Sequence, residues 1–271
     1  MARRIEIEPL TTLAHHAQHA HLAPLVEALR DEAAPLARAL RGRTLWMINS
    51  TASGGGVSEM LPGIVSHLRD LGIQTEWAVI ESDDDAFFQL TKRIHNMIHG
   101  EGAAGLGPAD RRLLERVNRD NAEALRQEIR RGDFVIVHDP QPLPLAGMLR
   151  ETTEITAVWR CHIGLDDENA ATADAWRFLE PYAADYEHAV FSAPEYAPAY
   201  YEGRSSIIYP ALDPLTPKNQ PLHVQSAVAV LERSRLLRQP GPLVEPPFDT
   251  PARRIQPDGA WQIAVRPDDL G

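Results

Sequence analysis

Polar side chains that could bind a sugar or a similar ligand fall at the predicted ends of several strands. Each of them follows a short apolar run; they are Asn49, Ser50, His138, Asp139, Gln141, Arg160 and His162. Recognition of a sugar needs directional hydrogen-bond donors and acceptors on rigid elements, and these residue types provide both. The pattern therefore predicts one crevice for a polar small molecule.

Three consecutive glycines, Gly54, Gly55 and Gly56, lie between an apolar strand-like segment and an amphipathic helix-like one. Glycine lets the backbone approach a ligand closely, and a helix start offers N–H groups and a positive dipole end to a phosphate. The run predicts a ligand-binding turn, because most turns need only one permissive residue. A tight turn that binds nothing is the alternative.

The strand-end candidates also have purely structural interpretations. Asp139 could accept hydrogen bonds from two sugar hydroxyls, or it could only form an Asp-Pro turn. His162 could bond a hydroxyl near the reacting carbon, or it could be a satisfied core histidine beside Cys161. Arg160 could bind a phosphate, or it could pair with Asp166 or Asp167.

Further candidates lie outside the strand ends. Lys92 and Asn96 share a helical face with His95 close by, which suits either ligand contacts or a solvated face. Glu195 follows a strand and could close the site, although Pro-Glu-Tyr is also a common helix start.

Four histidines near the amino terminus could bind a metal, since His15 and His19 are four residues apart and share a helical face. The other two are His16 and His21. Because no Asp, Glu or Cys nearby completes a ligand set, we predict no metal site there.

Short apolar strands alternate with helices through the middle of the chain. The strands are predicted at 44–49, 75–80, 133–138, 155–160, 188–192 and 205–209, and the helices at 57–71, 86–99, 108–131 and 168–181. This alternation predicts an α/β fold with a Rossmann-like, doubly wound, mostly parallel sheet. Its ligand crevice should lie at the carboxyl ends of the strands.

Three regions follow from this pattern. Residues 1–41 are predicted to form an N-terminal helical extension, and residues 42–219 are predicted to form the Rossmann-like domain. In residues 220–271 the pattern predicts a helix at 222–238 and a linker at 239–259 that contains six prolines. No second series of strands and helices follows the linker, so we expect a second domain to be absent.

Composition narrows the class of ligand. A formal net charge of −11 disfavours nucleic acids and anionic membranes, which attract clustered Lys and Arg. The single cysteine, Cys161, suits a reducing cytoplasmic compartment. No apolar stretch approaches the roughly 20 residues of a membrane span. We therefore expect a soluble protein with a small-molecule ligand.

Several motifs occur in a fixed order along the chain. They are Asn49-Ser50-Thr51 with Gly54–Glu59, Phe87–Asn96, His138-Asp139-Pro140-Gln141-Pro142 and Trp159–Ile163, followed by Trp176–Leu179, Pro194-Glu195-Tyr196, Asp213-Pro214-Leu215 and Lys218-Asn219. This order resembles the trehalose synthases of the glycosyltransferring type over about residues 44 to 219. Several motifs in one order are far more specific than the glycine run alone.

The resemblance implies one half of a glycosyltransferase B-type fold, from a retaining enzyme that transfers glucose from a nucleotide-activated glucose to free glucose. Related members of the family act as trehalose phosphorylases, so a hexosyltransferase of either type is expected. It implies no metal and no cofactor, since the nucleotide sugar is a substrate. His162 and Asp139 are then the catalytic candidates. Substrate contacts are implied for Asn49, Ser50, Gly54, Gly55, Gly56, Lys92, Asn96, His138, Gln141, Arg160 and Glu195. The nucleotide-binding domain is not recognisable in this chain, so a separate carboxyl-terminal domain or a homo-oligomer is the expected partner.

Two other classes compete with this interpretation. A non-catalytic module that binds a sugar or a sugar phosphate would keep the same crevice. A dinucleotide-dependent oxidoreductase would also place glycines after a strand. We disfavour the oxidoreductase because Gly54-Gly55-Gly56 lacks the spaced G-x-G-x-x-G form, and only Glu81 could bind a ribose.

Overall fold

A computed structural model of the chain describes residues 1–7, 12–216, 219–236, 252–255 and 261–265. The chain divides into two compact units, Met1–Pro210 and Ala211–Gly271. Lys218 and most of the predicted linker at 239–259 lie outside the described residues. The predicted domain limits after residues 41 and 219 stay predictions.

The first unit alternates strands and helices. In chain order these are β1 (Arg3–Ile5), α1 (Leu13–Ala17), α2 (Ala23–Ala39), β2 (Leu45–Asn49), α3 (Gly56–Asp70), β3 (Thr75–Val79), α4 (Asp85–Ile98), α5 (Pro108–Leu125), β4 (Phe134–His138), α6 (Leu145–Arg150), β5 (Thr156–Cys161), α7 (Ala170–Ala183), β6 (His188–Phe191) and β7 (Ser205–Ile207). All six predicted strands are present, as β2 to β7. Strands β2 and β3 are buried along nearly their whole length, whereas β5 and β6 bury every second residue against the core. Burial of one or both faces explains their short apolar runs.

The seven strands form one sheet in the order β1-β3-β2-β4-β5-β6-β7. Strands β2 to β7 pair in parallel, and β1 pairs antiparallel with β3. The α/β fold with a mostly parallel sheet is therefore confirmed. After β2 the chain first adds β3 on one side and then β4 on the other. The carboxyl ends of β2 and β4 thus flank the topological switch point, where ligands bind in such sheets.

Helices cover both faces of the sheet. The larger core packs α4, α5, α6 and α7 against one face, around fully buried residues such as Trp159 and Phe191. A smaller core packs α3 against the other face, through Leu61 and Val65 on Met47 and Trp77. This arrangement is the doubly wound one that the sequence predicts.

Three features differ from the sequence-based expectation. The amino-terminal extension is not entirely helical, because Arg3–Ile5 form strand β1. Helix α6 was not predicted, since it has only six residues and follows a proline-rich loop. Helix α5 ends at Leu125 and not at residue 131. All three are short or terminal segments, where tertiary contacts outweigh local periodicity.

The second unit contains helix α8 (Val224–Arg233) and an antiparallel pair, β8 (Ala252–Ile255) and β9 (Trp261–Val265). Helix α8 confirms the helix predicted at 222–238. The two strands were not predicted. Arg253-Arg254 interrupts apolar alternation in β8, whereas β9 is a short apolar run that the prediction overlooked.

Candidate functional site

The carboxyl ends of β4 and β5 bring four of the predicted residues together. His138 is the last residue of β4 and pairs in register with Arg160 of β5. Asp139 follows His138, and His162 follows the last residue of β5. This His-Asp-Arg-His cluster lies beside the switch point between β2 and β4.

Asp139 has a left-handed backbone, with φ of 63°. Three hydrogen bonds hold it in place. The Asp139 N–H donates to the Arg160 carbonyl at 2.9 Å, and the Asp139 carbonyl accepts from Trp159 Nε1 at 3.0 Å. One carboxylate oxygen accepts from the His162 backbone N–H at 2.9 Å. A non-glycine residue in this region is costly, and such residues cluster at functional sites.

The carboxyl group of Asp139 is shifted toward its neutral form. Burial raises its pKa to about 6, although the His162 N–H bond, Arg160 and His99 act in the opposite direction. A group with this pKa exchanges its proton near neutral pH, as catalytic and ligand-binding carboxyls often do.

His138 and His162 form a hydrogen-bonded pair. His138 Nδ1 lies 3.0 Å from His162 Nε2. Burial and the positive charge of Arg160 lower the pKa of His162 to about 4. Burial lowers the pKa of His138 well below its usual value, and His162 and Arg160 add to the effect. Both imidazoles are therefore neutral at physiological pH.

Arg160 is held by backbone carbonyls. Its guanidinium donates to the carbonyl of Phe191 at 3.0 Å and to that of Ile208 at 2.7 Å. Neither Asp166 nor Asp167 forms an ion pair with it in the described part of the chain, so the acidic pairing considered from the sequence is not present. Arg160 therefore ties β5 to the ends of β6 and β7 and keeps a positive charge beside the two histidines.

Asn49 and the glycine run form the other side of the switch point. The Asn49 side chain is engaged internally, since it donates to the Thr51 carbonyl at 2.7 Å and accepts from Trp77 Nε1 at 2.8 Å. Gly54 has φ of +82°, Gly55 is the N-cap of helix α3, and Gly56 is its first residue. A Cβ added at any of these three glycines would meet no atom within 4 Å. The glycine run is thus open, and Asn49 shapes the turn that carries Ser50.

The remaining candidates are not joined to the cluster by a described hydrogen bond. Lys92 is exposed and Asn96 is half-buried on α4. Glu195 is exposed on a short 3-10 turn. Gln141 lies in the loop after β4, and its side-chain oxygen is buried without a partner. The site roles of these residues stay predictions.

Two residues of the site were missed by sequence reasoning. Met47 lies within β2, and its sulfur is 3.3 Å from His138 Nε2. A methionine in an apolar strand gives no signal of such a contact. His99 acts electrostatically on Asp139, and its ring lies 4.5 Å from that of His95. The four-residue spacing of these histidines on α4 could have indicated His99.

A separate cleft of about 550 Å³ lies beyond the carboxyl end of β3. It is lined mainly by acidic residues, Glu81, Asp83, Asp84, Asp85 and Asp120, together with Arg116. None of the predicted site residues contributes to this cleft.

No group of three or more potential metal ligands is assembled among the described residues. In the histidine-rich amino-terminal segment, His15 takes part in the N-terminal cap of α1 with Thr12. His16 packs edge-on against His67, with ring centroids 4.9 Å apart.

Comparison with known proteins gives the family. The family model described as "Trehalose synthase, N-terminal domain" matches residues 47–198, which is more than half of the chain. The chain belongs to this family. All the predicted site residues of this trehalose synthase N-terminal domain fall within the matched segment.

Relatives of known name agree with the family. A trehalose synthase of Rubrobacter xylanophilus is 39% identical over 233 residues, covering 84% of this chain and 53% of the relative. One from Pyrococcus horikoshii is 36% identical over 198 residues, covering 73% of this chain and 46% of the relative. This trehalose synthase family member thus spans about half the length of the relatives it matches.

Among solved structures, an apo structure of OtsA superposes on 64% of this chain and 50% of its own, with a TM-score of 0.48 and 14% identity. In this member of the trehalose synthase family, none of the described helices is long and apolar enough to cross a membrane.

Proposed function

We propose that this chain is the acceptor-binding half of a trehalose-synthase-like retaining glycosyltransferase. The complete activity would transfer glucose from a nucleotide-activated glucose to free glucose. The observation that carries the proposal is the Asp139–His162 pair at the switch point, inside the segment matched by the family. Asp139 and His162 are its catalytic candidates.

The chemistry of the cluster suits a neutral polyhydroxylated ligand. A neutral imidazole can accept or donate a hydrogen bond to a hydroxyl, and His162 is neutral because its pKa is lowered to about 4. Asp139, with a pKa near 6, supplies a carboxyl that can accept from sugar hydroxyls. The open glycine run leaves space for the ligand on the opposite side of the switch point.

The donor side is assigned to a second domain. The nucleotide sugar is a substrate, and we propose that neither a metal nor another cofactor is needed. A separate carboxyl-terminal glycosyltransferase domain would complete the site, and a homo-oligomer is the other candidate partner. The single cysteine suits a cytoplasmic location.

Calorimetric titration with glucose tests the acceptor site. We expect the chain to bind glucose and His162→Gln to weaken binding about tenfold, as expected for loss of one directed hydrogen bond. His188→Gln is the matched control, because His188 is a half-buried histidine that bonds Ser206 on the sheet's far strands. Equal affinities in all three proteins would contradict the assignment of the site.

Catalysis is tested by mixing the chain with the carboxyl-terminal half of the Rubrobacter relative, glucose and a nucleotide-glucose. Trehalose formation that is lost in Asp139→Asn supports the proposal. Glucose binding without transfer in any pairing would instead favour a non-catalytic sugar-binding module.

A further inference from the structure

The two histidines of the cluster are joined edge to edge. Their planes differ by only 7°, and their ring centroids are 5.3 Å apart. The bonded nitrogens, His138 Nδ1 and His162 Nε2, are 3.0 Å apart. The centroid spacing exceeds this distance by about two ring radii, so both nitrogens lie on the line between the rings. The proton between them is therefore in the plane of both imidazoles, which is the favourable hydrogen-bond geometry.

The second nitrogen of His138 faces a sulfur atom. His138 Nε2 lies 3.3 Å from Met47 Sδ, and both residues are buried, with exposures of 3% and 5%. A thioether carries lone pairs and no hydrogen, so it can only accept a hydrogen bond. The Met47 sulfur is therefore the described partner of His138 Nε2.

The contacts from Met47 through His138 to His162 allow two placements of the protons, because both imidazoles are neutral and one proton lies between them. In the first, His138 carries its proton on Nε2 and donates to sulfur, and His162 donates its Nε2 proton to the bare His138 Nδ1. In the second, His138 carries its proton on Nδ1, and its bare Nε2 points its lone pair at the sulfur lone pairs. Only the first arrangement gives every buried nitrogen a complementary partner.

We propose that Met47 and His138 are positioning residues that fix His162 in its Nε2–H tautomer and leave His162 Nδ1 as a bare acceptor. His162 Nδ1 has no hydrogen-bond partner among the described residues and is not one of the buried unpartnered atoms, so a ligand can reach it. A bare imidazole nitrogen accepts from a hydroxyl and cannot donate to an ether or a carbonyl oxygen.

This inference rests on the proposed function for the identity of the ligand, and it adds a requirement that decides which sugars the site can bind. The site should bind a sugar whose hydroxyl at this position can donate a hydrogen bond. Analogues of glucose in which that hydroxyl is replaced by fluorine or a methoxy group cannot donate, and they should bind about tenfold more weakly or worse.

Long-range ¹H–¹⁵N NMR of the full chain labelled at histidine tests the tautomers directly at pH 7.5. The wild type should show His162 protonated on Nε2 with a bare Nδ1, and His138 likewise protonated on Nε2. Met47→Leu keeps the side-chain volume and removes the acceptor. We expect the His162 tautomer ratio to shift about tenfold toward Nδ1–H and glucose affinity to fall between threefold and tenfold.

Met148→Leu is the matched control, since Met148 is similarly buried in α6 and no described hydrogen bond joins its sulfur to a histidine ring. It should leave both tautomers and the affinity unchanged. A wild-type His162 protonated on Nδ1 would overturn the proposal without any variant. An unchanged tautomer ratio in a folded Met47→Leu protein would also overturn it. If the expected tautomers are observed but glucose does not bind, the positioning role of Met47 and His138 is supported and the proposed function is contradicted. The two failures are therefore distinguishable.

Discussion

At the scale of single residues, burial shifts two ionisable groups of the site toward their uncharged forms. It raises the pKa of Asp139 and lowers that of His162, so both neutral forms are favoured. Their contributions to the free energy of unfolding change with pH in opposite directions. Between pH 4 and 6.5 the unfolded chain binds the His162 proton and the folded chain does not, so this contribution to stability rises with pH. Over the lower part of this range Asp139 is protonated only in the folded chain, so its contribution falls as pH rises.

Asp139→Asn should therefore stabilise the protein at neutral pH while abolishing activity. An ionised Asp139 is disfavoured in the folded state above its pKa of about 6, and Asn removes that cost. Asn also tolerates the left-handed backbone and still accepts from the His162 N–H. We expect a gain of about 1–2 kcal/mol at pH 7.5 that disappears near pH 4, measured by urea unfolding across this range.

The control is Asp133→Asn. The Asp133 carboxylate accepts hydrogen bonds from the Thr44 and Arg130 backbones and from Trp46 Nε1. Asn cannot accept all of them, so this variant should lose about 1–3 kcal/mol at pH 7.5. A destabilised Asp139→Asn protein would show that the carboxylate is favoured, and not penalised, by its surroundings.

At the scale of elements, two glycines of the run show separately whether the backbone conformation or a bound ligand requires glycine. Gly54 has a positive φ, so Gly54→Ala should destabilise the fold by about 1–2 kcal/mol. Gly56 has an ordinary φ and open space, so Gly56→Ala should change stability by no more than about 0.5 kcal/mol. If the run approaches a ligand, Gly56→Ala will nevertheless weaken glucose binding about tenfold. Unfolding and titration of both variants measure the two effects, and unchanged affinity would make the run an ordinary turn.

The loop after β5 depends on another glycine. A Cβ at Gly164 would lie 2.2 Å from Tyr196 Cγ, a position at which the ring cannot remain. Gly164→Ala should cost about 1–3 kcal/mol in thermal or urea unfolding and displace the turn that carries Glu195. Gly147→Ala is the comparison, because its Cβ would also meet an atom at 2.2 Å, the end of the Asp185 carboxylate, which can rotate away. Similar losses in both variants would contradict the tight packing of Tyr196.

The six parallel strands could be predicted because most are short apolar runs followed by polar residues, and burial of one or both faces imposes that pattern. The same logic placed His138, Asp139, Arg160 and His162 at one end of the sheet. The contact between Met47 and His138 could not be predicted, because sequence periodicity does not distinguish a core sulfur from one that orients a ring. The internal bonding of Asn49 is also a tertiary result, since Trp77 comes from a neighbouring strand.

At the scale of the whole molecule, the chain covers about half the length of its relatives, and the transfer reaction proposed for it involves a second domain. The assembly is proposed to need no metal. Trehalose formation by this chain with a relative's carboxyl-terminal half should keep its rate within about twofold after dialysis against a chelator. A loss of activity that Mg²⁺ restores would contradict the metal-free proposal.

The three residues of β1 cover one edge of the parallel strands by pairing with β3. Without Arg3–Ile5, strand β3 would expose a row of unpaired backbone donors and acceptors, which is a template for a strand of another molecule. At the opposite side of the sheet, β7 has only three residues and offers little length for such pairing. We therefore expect the short amino-terminal strand to act as a barrier to aggregation, a task separate from that of the candidate site at the ends of β4 and β5.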